Sequence, residues 1–85
     1  MEAEYEYIIV ESYKPKKTSG LHGEIHIKPV AGQDPFTENM HVECSKKLSR
    51  EYPVGSKFKI KAKITDKEGG TPFVYSHYSW PFEVL

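Results

Sequence analysis

The sequence predicts a mainly β domain, a small antiparallel barrel of five to six strands, on two observations. Apolar and polar residues alternate with period two in about five stretches bounded by Gly, Pro, Asn and Asp, while helical periodicity is hard to find over any ten residues. At 85 residues the chain lies near the lower end of what holds a core without staples, so it reads as one domain over 1–85.

The first strand is expected over residues 4–13, where Tyr5, Tyr7 and Ile9 share one face and Glu4 and Glu6 begin the other. From Ile8 to Val10 both faces are apolar, as expected of a long strand that bends into a closing barrel. The loop "KPKKTSG" leads into "LHGEIHIKPV", where Leu21, Ile25 and Ile27 point one way and His22, Glu24, His26 and Lys28 the other. "AGQDPF" is turn chemistry through Gly32 and Asp34-Pro35. A third strand over 38–44 places Met40, Val42 and Cys44 inward and Asn39, His41 and Glu43 outward.

Between Cys44 and Gly55 the alternation fails. A short helix near 45–52 fits there: Ser45 caps it, Leu48 and Tyr52 lie four apart on one side, and Pro53 ends it. The clearest strand follows at 57–65, "KFKIKAKIT", with Phe58, Ile60, Ala62 and Ile64 between four lysines. "DKEGG" reads as a hairpin loop, the last strand begins near Phe73, and Pro81 separates it from a closing segment, "FEVL". Three strands, a short helix and a hairpin form an element order that resembles an OB-type barrel, with an SH3-like barrel as the alternative.

Composition narrows the class. Hydrophobic residues make up 38% and aromatics 13%, enough for a thin core and too much for a disordered segment. The single cysteine, Cys44, excludes an internal disulfide framework and fits a reducing, cytoplasmic location; on the inward face it is expected to be a buried, unreactive thiol. The longest aliphatic run is Ile8-Ile9-Val10 and "MEAEYEYIIV" has no basic start, so neither a membrane span nor a secretory signal is expected. Net charge is zero, yet residues 46–67 carry Lys46, Lys47, Arg50, Lys57, Lys59, Lys61, Lys63 and Lys67 against Glu51 and Asp66. A basic patch on a neutral molecule follows.

Four lysines at every second position of a strand stand ~6.8 Å apart, a spacing that can follow the phosphates of an extended single strand. The plainer use is a solvated sheet face, or a ladder with Glu2, Glu4 and Glu6, which have the same period. The basic loop, with Lys14, Lys16 and Lys17, would add phosphate contacts. The face expected between the loops (His22, Glu24, His26, Lys28, Asn39, His41, Glu43) holds no ring on which a base could stack. Aromatics concentrate instead in "PFVYSHYSWPFEV". Most are expected in the core, but Phe73, Tyr75 and His77 alternate against Val74, Tyr78 and Trp80, so one set is expected outside, beside the lysine strand.

The binding residues expected are therefore Lys14, Lys16, Lys17, Lys57, Lys59, Lys61, Lys63, Tyr75, Tyr78 and Trp80. No metal or cofactor is expected. His22 and His26 stand ~13.6 Å apart on a strand, too far to share an ion, and His26 with His41 and Glu43 is a weaker grouping than isolated surface histidines. No phosphate-cradling loop or nucleophile motif suggests an enzyme; Gly69 and Gly70 are turn residues. Two functions remain: a binding module for single-stranded nucleic acid or another polyanion, or a protein-interaction module using a strand edge or the C-terminal aromatic surface.

Overall fold

The structure is a computed structural model that describes residues 5–14, 25–66 and 70–85. Among these residues the elements run β1 (Glu6–Tyr13), β2 (His26–Pro29), β3 (Val42–Glu43), α1 (Lys47–Arg50), β4 (Lys57–Thr65), β5 (Phe73–Tyr75) and β6 (Glu83–Val84). Hydrogen-bonded neighbours are ordered β2-β1-β4-β5-β3, with β6 also on β4.

The β1–β4 pair is the centre of the core. Its antiparallel register sets Ile8 opposite Ile60 and Val10 opposite Phe58. All four are buried, each contributing about 1.5–3 kcal/mol, and Ala62, Val74, Val42, Ile27 and Leu48 close around them. Tyr52, Phe58 and Phe82 meet edge to face, with centroids 5.3–6.0 Å apart, and seal one end. Ser12 is also buried: its hydroxyl accepts the Gly55 N–H at 3.0 Å, holding the turn that feeds β4. Gly55 has φ +95°, the left-handed region where glycine carries no steric penalty.

Two expectations are corrected, the all-antiparallel sheet and the length of the third strand. The sheet is mixed rather than antiparallel, because β3 lies parallel to β5, Val42 opposite Val74 and Glu43 opposite Tyr75. Alternation is the same in either direction, so the sequence carries no sign of this. Hydrogen-bonded pairing ends at β2 on one side and β3 on the other, and no pairing between them closes the sheet among the described residues. The third strand is two residues long, because the chain turns at Thr37–Met40 before it and enters α1 soon after.

The helix is shorter than expected but sits where expected. Its N-cap is Lys46 rather than Ser45, although Ser45 Oγ accepts the Lys47 N–H at 3.2 Å, and Leu48 is buried in the core cluster. Residues 67–69 of the hairpin loop lie outside the described residues. The strands flanking that loop pair antiparallel as expected, with Lys63 opposite Tyr75.

Candidate functional site

Residues opposed across an antiparallel pair project from the same face. With Ile8, Val10, Phe58 and Ile60 inward, the β1–β4 register therefore sends Tyr7, Ile9 and Glu11 outward beside Lys61, Lys59 and Lys57. On the other flank of β4, Tyr75 stands beside Lys63. The lysine row thus runs between two strands, and its neighbours differ along its length.

At one end the charge is neutralised. Glu11 lies 3.7 Å from Lys57 and 3.9 Å from Lys28, and Lys28 also reaches Glu38 at 3.9 Å. At the other end the ammonium groups rest on rings. Lys59 lies 5.6 Å from the Tyr7 centroid, Lys61 lies 5.7 Å from Tyr5 and 5.2 Å from Trp80, and Lys63 lies 5.2 Å from Tyr5. Such contacts contribute about 0.5–1 kcal/mol at exposed positions and leave the charge open to an anion. Among the described residues, no carboxylate forms an ion pair with Lys59, Lys61 or Lys63.

Trp80 reaches this cluster through a turn. β5 ends at Tyr75, Ser76 is buried, and the chain then reverses, the Trp80 N–H donating to the His77 carbonyl at 3.1 Å. The Ser79 N–H donates to His77 Nδ1, also at 3.1 Å. This turn breaks the alternation and sets Trp80 beside Tyr75 and His77, with centroids 6.3 and 5.7 Å away. Tyr5 meets Trp80 edge to face at 4.7 Å. Tyr78 stacks on His77 and is 75% exposed.

Of the residues expected from sequence, Lys59, Lys61, Lys63, Tyr75 and Trp80 come together here, with Tyr78 at the margin. Lys57 belongs to the Glu11 pair. Lys14 is exposed at the opposite end of β1 from Tyr5, ~30 Å along the strand, and does not join the cluster. Lys16 and Lys17 lie outside the described residues, as do Glu2 and Glu4 of the expected glutamate ladder. Glu6 stands opposite Ala62, on the other side of the sheet from the lysines, so it forms no rung. Sequence reading missed Tyr5, Tyr7 and Phe82. Their signal was parity: Tyr5 and Tyr7 share a phase with Glu11, opposite to the core phase of Ile8 and Val10.

Beside the cluster a recess of about 350 Å³ is lined by Tyr7, Lys59, Lys61, Trp80, Pro81, Phe82 and Glu83. A larger recess, about 690 Å³, opens between β2, β3 and α1; it holds His26, His41, Glu43, Lys46 and Arg50 but no Phe, Tyr or Trp. No group of three or more His, Cys, Asp or Glu among the described residues is arranged to hold a metal ion; His22 lies outside them. Cys44 lines the larger recess, and burial pushes its thiol up to about 11, which leaves it protonated and a poor nucleophile at neutral pH. No helix among the described residues is long and apolar enough to cross a membrane. No protein-family model, curated protein or solved structure matches the chain.

Proposed function

We propose that the protein is a non-enzymatic binding module whose outer β1–β4–β5 face takes an extended polyanion, with single-stranded nucleic acid as the best fit. One observation carries this reading: Lys59, Lys61 and Lys63 repeat at ~6.8 Å, rest on Tyr5, Tyr7 and Trp80, and form no ion pair with a described carboxylate. Cations that track a backbone, next to rings on which bases stack, are what sequence-tolerant single-strand binding requires. The strand order supports an OB-type barrel over an SH3-like one: β1 bonds to both β2 and β4, and β3 lies parallel to β5, as in a Greek-key barrel open between β2 and β3.

Trp80 is the chain's only tryptophan and lies inside the proposed site, so its emission reports binding directly. Titration with a single-stranded oligonucleotide should change that emission. Contact with about three phosphates predicts a slope of log K against log salt near −2. Absence of binding at low salt, by emission and by anisotropy of a labelled strand, defeats the proposal.

The second reading, a protein-interaction module, is favoured by Val84 and Leu85, which are exposed at 48% and 63% beside the Lys57–Phe58 end of β4. A partner held by those residues would bind with little dependence on salt.

A further inference from the structure

We infer that the recess between Tyr7 and Trp80 is a pocket for a single base, and that Glu83 makes it select a base carrying an exocyclic amino group. This rests on the polyanion reading above and narrows it to nucleic acid. A chain of phosphates alone needs only the lysines. The recess adds what phosphates cannot use: flat apolar walls from Tyr7, Trp80, Pro81 and Phe82, and a carboxylate. Its volume of about 350 Å³ falls at the lower end of ligand pockets, about 300–1,000 Å³, and suits one planar ring rather than a folded ligand.

The placement of charge within the recess gives it a direction. Lys61 lies 5.2 Å from the Trp80 centroid and Lys59 5.6 Å from that of Tyr7, and both line the recess, so a base that enters beside these rings brings its phosphate near an ammonium group. Glu83 stands opposite Lys59 in the β4–β6 register and takes part in none of the ion pairs formed among the described residues. A carboxylate at a phosphate site repels the ligand. Against a base edge it accepts: cytosine N4, adenine N6 and guanine N2 all donate to such an oxygen from an exocyclic amino group. Thymine and uracil present a carbonyl at position 4 and donate only from N3–H, which lies between two carbonyls that repel the carboxylate. The pocket therefore favours cytosine over thymine, two rings of equal size that differ mainly in this group.

The test uses the full chain with an oligodeoxycytidine octamer, an oligothymidine octamer and polyphosphate of matched length, read by Trp80 emission and by anisotropy. Cytidine should bind about five- to a hundredfold more tightly than thymidine. Glu83→Gln should bring that ratio close to one, because an amide both donates and accepts. Removing the negative charge strengthens both complexes, so the ratio is the readout rather than either affinity. Glu83 is exposed on a two-residue strand, and an unchanged Tm shows that the variant is folded. Equal binding of both octamers and polyphosphate overturns the base pocket and leaves the polyanion reading standing. Failure of all three to bind overturns both. Binding of polyglutamate with no binding of either octamer also overturns the inference, in favour of an acidic protein partner.

Discussion

Gln33 does the work of a strand residue with its side chain. Its Oε1 accepts the Ile9 N–H at 2.7 Å, while its Nε2 donates to the Ile9 and Val30 carbonyls, both at 2.8 Å. The amide thereby carries the β2 side of β1 one step past Pro29. The segment "AGQDPF" read as turn chemistry, and Gly32 does adopt φ +92° there. Nothing local marked the glutamine as a partner for a residue 24 positions away. Cys44 gives a prediction of pH dependence. Burial raises its thiol from an ordinary 9.0 to about 11. Below pH 9 the proton is held in both folded and unfolded chains and the contribution is complete. Between pH 9 and 11 the unfolded chain ionises first, so stability falls as pH rises, by up to about 1.4 kcal/mol per pH unit. Urea unfolding of wild type and Cys44→Ala across pH 8–11 should show the variant lacking this part of the slope. A parallel loss in both proteins would refute the assignment.

Strand β4 has two sides with separate duties, and substitutions should separate them. Phe58 is fully buried against Tyr52 and Phe82, so Phe58→Ala should cost about 3–5 kcal/mol, much of the stability of so small a domain. Lys61 rests on Tyr5 and Trp80 and forms no ion pair among the described residues, so Lys61→Gln should change stability by no more than about 1 kcal/mol. It should nonetheless weaken oligonucleotide binding severalfold and make the salt slope shallower by about 0.7. Thermal melts paired with salt titrations check both halves; a Lys61→Gln protein that binds like wild type removes this lysine from the site. The strand was plain in the sequence because alternation is a property of neighbouring residues. The placement of Trp80 was not, because the turn at His77–Trp80 inverts the phase that alternation assigns to it.

The molecule has no net charge, yet its outer face is divided into a neutralised end and a cationic end. Glu11 makes the division, standing between Lys28 and Lys57. Glu11→Gln removes two partly exposed pairs, which together contribute about 1 kcal/mol. It also frees Lys57 to extend the cationic row, while Lys28 keeps its pair with Glu38. A longer oligonucleotide should then bind more tightly with a steeper salt slope, whereas one short enough to cover only Lys59–Lys63 should gain little. Equal gains for both lengths would show that the ligand does not run along β4.

Period-two patterning determined the mainly β class and the span and inward face of the lysine strand, and the i, i+4 spacing of Leu48 and Tyr52 before Pro53 determined the position of the short helix, since each depends on residues within a few positions of one another. The pairing of β1 with β4, the parallel course of β3 beside β5, and the meeting of Tyr5, Tyr7 and Trp80 around three lysines depend on contacts across most of the chain. Those contacts arise from packing the core, which places the outward residues as a consequence, and the tertiary structure is where a row of lysines becomes a face with rings beside it.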